Sequence, residues 1–297
     1  MKALVTGASG VLGAALLRRL GDGATGVSRS GREGFLRADL ADPDQVASLF
    51  SAGHFDAVLH AAAYSDVDGC ERDPEEAWAC NALSAKHLAD ACSRAGTPLV
   101  YVSTDYVFDG AKRAPYEETD RTGPVNVYGM TKLAGEHYAA ACRAPSATVR
   151  TSWLFGAGNP KNFVNVLRER LRTESAVAVL DDQEDAPTYA ADLAEAVERI
   201  ARRLAERAGR SGGPAHEIYQ FRNAGSTTRL GMARRMKEVL GSPAAIGRLD
   251  PGALAGRLAV RPAYGVLSTR RYEEVFGEKV RPWQDALAEY LTDRGNS

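Results

Sequence analysis

The sequence predicts a doubly wound α/β fold. Short apolar runs alternate with amphipathic stretches of helix length through the first two-thirds of the chain, and the first run leads straight into a glycine-rich loop. A length of 297 residues leaves room for one large parallel-sheet unit and a smaller companion. With 44% hydrophobic and 25% charged residues, the composition excludes disordered and fibrous classes. The 37 Lys and Arg against 38 Asp and Glu give no basic field for a phosphate backbone, so nucleic acid is not an expected partner.

Strand Lys2–Thr6 opens the chain, and helix Val11–Leu20 follows the loop. Strands Ala24–Ser28 and Phe35–Asp39, helix Gln45–Phe50 and strand Ala57–His60 come next, each strand apolar and bounded by Gly, Asp or a helix start. Pro74–Ala95 reads as one long helix with proline at its first position. Strand Leu99–Ser103 precedes helix Val127–Ala141, entered from the turn Thr122-Gly123-Pro124. Strand Ala147–Thr151, helix Ala190–Arg207 and strand Glu217–Phe221 complete the sheet. Arg202, Arg203, Arg207 and Arg210 read as a solvated helix face, and Arg210–Pro214 as an exposed loop. Everything after Asn223 reads as a lid: helix Thr228–Leu240, a Gly/Pro-rich passage from Gly241 to Pro262, and a closing helix Pro282–Leu291.

No apolar run approaches the roughly 20 residues a bilayer requires, and the chain runs from Met1 directly into the first strand, so neither a membrane span nor a leader is expected. Cys70, Cys80, Cys92 and Cys142 form no CxxC pair and stand beside no histidine at metal-ligand spacing. Free thiols in a reducing cytoplasm, and no metal site, are the expectation.

The loop TGASGVLG, Thr6–Gly13, sits between the first strand and the first helix. Gly7, Gly10 and Gly13 permit a tight turn and close approach of backbone to a pyrophosphate. Ser9, Val11 and Leu12 carry the N–H groups of a helix start, whose dipole favours anions. This is dinucleotide chemistry, and it makes the fold a Rossmann-type parallel sheet. An acid at the end of the second strand would bond the ribose 2′-hydroxyl, whereas the residues there are Ser28-Arg29-Ser30. That triplet favours NADPH, with NADH possible and a merely solvated Arg29 as the competing reading. Asp39 and Leu40 are placed beside the adenine, and Ala61, Ala62 and Ala63 along the same groove. The expected units are 1–155, rejoined by 181–222, for the cofactor, and 156–180 with 223–297 as a smaller C-terminal substrate-capping domain.

Tyr128 and Lys132 stand four residues apart on one helix face. A phenol of pKa about 10 is a poor acid–base group at neutral pH, and a fixed ammonium nearby favours the phenolate. Thr104, at the end of the fifth strand, is positioned to hold a carbonyl for Tyr128. Asp105 is expected to brace the following turn rather than to catalyse.

These residues carry a specific resemblance. The segments His60–Asp68 (HAAAYSDVD), Ser103–Gly110 (STDYVFDG), Asn126–Glu136 (NVYGMTKLAGE), Arg150–Trp153, Asn162-Phe163, Asp182-Gln183 with Ala186–Thr188, and Arg261-Pro262 span nearly the whole chain. The chain resembles the extended short-chain dehydrogenase/reductases, and within them the dTDP-4-dehydrorhamnose reductase family. The resemblance implies NADPH-dependent reduction of a nucleotide-linked 4-keto-6-deoxyhexose at C4. In this reading Tyr128 gives the proton, Lys132 lowers its pKa and holds the nicotinamide ribose, and Thr104 bonds the carbonyl oxygen. By the same carry-over Ser65, Val67, Asp68, Tyr106 and Trp153 wall the hexose, and Asn162, Gln183 and Thr188 contact the nucleotide. Core packing is the competing reading for Trp153.

The chain departs from the family at Val11, where relatives often carry Gln, and at Gly69-Cys70, where Lys-Ala is common. Ala14 and Ala15 replace the first-helix carboxylate of a magnesium-bridged dimer, so a monomer or a simple homodimer is expected. Other readings are a 4-ketoreductase for a different activated deoxysugar, a regulatory subunit like that of methionine adenosyltransferase, and an epimerase or dehydratase with tightly held NAD.

Overall fold

The computed structural model describes residues 1–31, 34–51, 53–208, 216–250 and 256–293. The first half lays down strands β1 (Ala3–Thr6), β2 (Ala24–Ser28), β3 (Leu36–Arg37), β4 (Ala57–His60), β5 (Leu99–Thr104) and β6 (Ser146–Thr151), and β11 (His216–Gln220) joins them later. All seven pair in parallel in the order β11-β6-β5-β4-β1-β2-β3. The chain order reverses between β1 and β4, and an open parallel sheet takes its ligand at that crevice.

Helices cover both faces. Leu12 and Leu16 of α1 (Val11–Leu20) and Leu193, Val197 and Ile200 of α8 (Ala190–Arg207) bury their apolar stripes against one face. On the other, α2 (Pro43–Ser51), α5 (Ser84–Ala95) and α6 (Val127–Ala140) contribute Val46, Leu88 and Ala139. A third core belongs to the cap, where α7 (Phe163–Thr173), α9 (Arg229–Leu240) and α11 (Trp283–Thr292) pack Leu167, Met236 and Leu287 around Phe155 and Tyr290. The strands β8 (Ala176–Val179) and β13 (Ala245–Arg248) pair in parallel beside them.

Several sequence-based boundaries change for identifiable reasons. The predicted strand Phe35–Asp39 shrinks to two residues at the sheet edge, because the Asp39 N–H leaves the ladder and donates to Gln45 Oε1. The predicted helix Pro74–Ala95 becomes α4 (Pro74–Trp78), a π-helical turn at Ala79–Leu83, and α5. The π turn swings Asn81 inward, where its amide accepts from the Tyr64 N–H and donates to Thr131 Oγ1. Helix α3 (Val67–Arg72) was not anticipated, nor were α7 and the short pairs of β7 (Leu154–Phe155) with β10 (Thr188–Tyr189) and of β9 (Glu184–Asp185) with β12 (Thr227–Thr228).

The tail is not all lid. Helix α10 (Arg270–Phe276) returns to the large sheet, stacking Tyr272 edge-on against Phe221 and setting Phe276 beside Tyr219. Arg202 and Arg207 are not merely solvated: they pair with Glu198 and with buried Glu217, each at 2.7 Å. Arg210 and the predicted loop to Pro214 lie outside the described residues, as does part of the Gly241–Pro262 passage. Among the described residues no helix is long and apolar enough to cross a membrane.

Candidate active site

At the crevice between β1 and β4, the glycine loop leaves no space for side chains. Gly7 has φ +67°, and a Cβ on it would stand 2.7 Å from Ala62, while one on Gly13 would stand 2.1 Å from the Gly7 carbonyl oxygen. Only glycine meets both demands. Gly10 caps α1 without any side-chain hydrogen bond, so the helix presents bare N–H groups. A groove of 470 Å³ opens from there, lined by Gly7, Ser9, Gly10, Ser28, Arg29, Asp39, Leu40, Ala62 and Ala63. These residues fit a dinucleotide.

Other predicted cofactor residues serve the groove indirectly. The Leu12 side chain is core, Gly13 packs on the loop, and Ala61 is packed against the core beneath it. Val11 faces Gly156, whose added Cβ would meet Val11 Cγ1 at 3.1 Å. Asp39 turns its carboxylate to its own loop, accepting from the Ala41 N–H, and Ser28 Oγ accepts from the Gly31 N–H. Arg29 is not free: its guanidinium donates to Glu76 Oε1 at 2.5 Å, across the groove mouth. Glu76 was missed because it lies 47 residues away on α4.

Tyr128 lies in the first turn of α6, which Asn126 caps by accepting from the Gly129 N–H at 2.8 Å. The Tyr106 ring meets the Tyr128 ring edge-on at 5.8 Å. Burial and the nearby Asp105 hold the phenol above its usual range, and the neighbouring Thr104 hydroxyl works the other way. The expectation that Lys132 lowers this phenol is therefore opposed by burial, and a proton stays on Tyr128. Lys132 is buried, donates from Nζ to the Val102 carbonyl at 2.7 Å and lies over the Tyr101 ring. Burial pulls its ammonium down to about 7. Asp105 does not brace its turn as expected. Thr104 does that by accepting from the Tyr106 N–H, and the Asp105 carboxyl faces Thr104 and Asp185 instead.

A second cleft, of 520 Å³, lies under the cap and is lined by Asp68, Phe163, Asp182, Gln183, Arg229, Arg257 and Arg261 among others. Charged clamps build it. Asp68 accepts from Arg261 Nη2 at 2.7 Å and from the Leu258 and Ala259 N–H groups, and Asp182 pairs with Arg257 at 2.5 Å. Arg229 lies 3.8 Å over the Trp153 ring and 4.5 Å over Phe163, and burial pulls its guanidinium down to about 10. Trp153 sits at φ 37°, and its buried indole N–H has no partner among the described residues. Gln183 Nε2 donates to the Pro262 carbonyl and to Tyr106 Oη.

Of the residues expected to contact substrate, Asp68 and Gln183 line this cleft, and Trp153 adjoins it through Arg229. Ser65 is exposed, Val67 begins α3 and Tyr106 packs on Tyr128. Two others have their polar groups engaged elsewhere. Asn162 spends its amide capping α7 and donating to the Leu154 carbonyl, and Thr188 is fully buried against Thr151. Arg229 and Arg257 had no sequence signal, since neither falls in a recurring spacing with the residues it meets.

Residues 1–295 match the family model described as the RmlD substrate binding domain. The chain belongs to that family. It is 38% identical to a dTDP-4-dehydrorhamnose reductase of Mycobacterium tuberculosis, over 99% of this chain and 93% of that one. A protein of Streptomyces antibioticus described as a probable dTDP-4,6-dihydroxy-2-methyloxan-3-one 4-ketoreductase is 36% identical, over 99% and 95%. The solved dTDP-4-dehydrorhamnose reductase of Bacillus anthracis, in complex with NADP, superimposes with a TM-score of 0.85 at 26% identity, covering 97% of this chain and 98% of that one.

Proposed function

We propose that this RmlD-family chain reduces the C4 ketone of a nucleotide-linked 4-keto-6-deoxyhexose with NADPH, NADH being a possible second donor, and that the substrate is dTDP-4-dehydro-L-rhamnose. The observation that carries the reading is the buried Lys132 one turn beyond Tyr128 on α6, with the Tyr128 ring against Tyr106, whose hydroxyl accepts from Gln183 of the arginine-lined cleft. The glycine loop and Arg29 would hold the dinucleotide, which supplies a hydride to C4 when bound. Thr104 hydrogen-bonds the carbonyl oxygen, and Tyr128, kept protonated by burial, donates to the oxygen as negative charge develops on it. Lys132 holds the nicotinamide ribose. Arg229, with Trp153 and Phe163, offers a flat cationic surface to the nucleotide end of the substrate.

The near-neutral net charge and the four free thiols support a cytoplasmic monomer or homodimer that binds neither nucleic acid nor membrane. The named activity of the Streptomyces antibioticus relative favours a second reading, a 4-ketoreductase for another deoxysugar. Both are tested by the fall in NADPH absorbance with dTDP-4-keto-6-deoxyglucose, with and without a 3,5-epimerase, wild type beside Tyr128→Phe. Oxidation that requires the epimerase and vanishes in the variant supports the rhamnose reading. Oxidation without the epimerase selects the other sugar, and no oxidation despite cofactor binding overturns both.

A further inference from the structure

Beneath Thr104 lies a pair of acids that the reduction described above does not use. Asp105 follows Thr104 in the chain and is 4% exposed, and Asp185 of β9 is 2% exposed. Their carboxyl groups face each other at Gly265. Asp105 Oδ2 is buried and receives no N–H or hydroxyl donor among the described residues. Both Oδ2 atoms crowd the backbone of Gly265, where a Cβ would stand 2.6 Å from Asp185 and 2.8 Å from Asp105. Two ionised carboxylates are acceptors only, so this contact requires a hydrogen on one of the oxygens.

The pair is joined to the reacting phenol. Thr104 Oγ1 donates to Asp105 Oδ1 at 3.0 Å, and Thr104 and Asp105 both act on the Tyr128 phenol. A line of polar groups therefore leads from Asp185 through Asp105 and Thr104 toward Tyr128. We propose that Asp105 and Asp185 share one proton and act as positioning residues, a reserve that restores the proton of Tyr128 through Thr104. This rests on the reductase reading, in which Tyr128 loses a proton in every turnover.

The transfers balance. Once C4 has taken up the hydride and its electron pair, Tyr128 passes its hydroxyl proton to the C4 oxygen. The Thr104 hydroxyl turns from Asp105 Oδ1 to give its proton to the phenolate, the Asp105 carboxyl rotates to deliver the shared proton to Thr104 Oγ1, and the acid pair is left ionised until water reloads it after product departs. The charged and titratable groups around the pair are Arg229, Arg222, Tyr106, Tyr128 and Tyr264. The two guanidiniums offset the negative charge that the loss leaves behind. Burial holds Asp105 well above the carboxylate range and pushes Asp185 up to about 6, in keeping with a proton retained at neutral pH.

The test combines infrared spectra of the full chain at neutral pH with pH profiles of NADPH-dependent reduction of the dTDP-4-keto sugar, for wild type, Asp185→Asn and Asp105→Asn. An amide at either position donates to the remaining carboxylate and removes the need for a shared proton. The expected result is a protonated-carboxyl C=O band in the wild type that both substitutions abolish. In both, kcat falls by about 10- to 100-fold with the Kd for NADPH unchanged, the low end of what a positioned proton donor contributes. The alkaline decline of kcat moves to lower pH by about one unit or more in Asp185→Asn, since Asp105 no longer faces a like charge. If that variant loses its far-ultraviolet circular dichroism, Asp105→Asn carries the test alone. Wild-type kcat and pH profile in a folded variant, or an active wild type without the band, overturns the proposal. A wild type that shows the band but reduces no 4-keto sugar supports the shared proton and overturns the reductase reading.

Discussion

At the glycine loop, the molecule meets its ligand with backbone: Gly7 and Gly13 exclude any Cβ, and α1 begins with uncapped N–H groups. At the cap, it uses side chains in opposed charge pairs, Asp68 with Arg261 and Asp182 with Arg257, and an arginine sandwiched on Trp153 and Phe163. A backbone cradle suits the pyrophosphate of any dinucleotide, whereas charged side chains held at fixed places are suited to select one ligand. A backbone cradle is written in a few consecutive residues, whereas clamps such as Asp68–Arg261 join positions 193 apart.

Substitutions separate the two surfaces from each other and from the chemistry between them. The largest effect is expected from Tyr128→Phe, which keeps the ring against Tyr106 but removes the proton: kcat falls by about 10³-fold while fluorescence titration gives an unchanged Kd for NADPH. Next, Arg229→Met raises KM for the sugar nucleotide by about 10- to 100-fold through loss of a half-buried cation on two rings. A parallel loss of NADPH affinity would show that the two surfaces are one.

Asp68→Asn should raise KM by about fivefold and quicken proteolysis near Leu258, because the strap from Gly256 to Arg261 loses its anchor. Arg261 holds the Asp68 carboxyl well below the usual carboxylate range. Its contribution to stability is thus complete above the unfolded pKa of about 3.9 and is lost as pH falls further. The Tm of the variant should accordingly lie below that of the wild type at neutral pH and converge with it in strong acid. The smallest effect is expected from Glu76→Gln, which frees Arg29 from a half-exposed pair and raises the kcat/KM preference for NADPH over NADH by about two- to fivefold. A shift in the sugar KM instead would place Glu76 outside the cofactor groove.

The sheet was legible because each of its strands is a short apolar run whose place follows from alternation with amphipathic helices. Where local rules compete with tertiary contacts, the reading failed. Pro74–Ala95 has the composition of one helix, and only Tyr64, Thr131 and Tyr101 reveal why Asn81 must turn inward in a π turn. Phe35–Asp39 looks like a strand but lies at an edge, with a glutamine ready to take its N–H. Tyr128 and Lys132 stood out by their spacing on one helix face, and Thr104 by its place at the end of the fifth strand. What the sequence did not show for Asn162 and Thr188 is that their polarity serves a helix cap and a buried threonine pair. Arg229, Glu76 and Asp185 gave no signal, since each acquires its meaning from partners far along the chain.

Trp153 adopts φ 37°, the sole positive φ of a non-glycine among the described residues, at a cost of about 1–3 kcal/mol. The Arg229 guanidinium on its face and its carbonyl bond to the Thr188 N–H hold it there. The chain has two other tryptophans, Trp78 on α4 and Trp283 buried in the cap. An indole pressed against a cation emits differently once that cation is drawn toward an incoming anion. Unlabelled protein thus carries an optical gauge of cap occupancy, read as the change in tryptophan emission that Trp153→Phe removes.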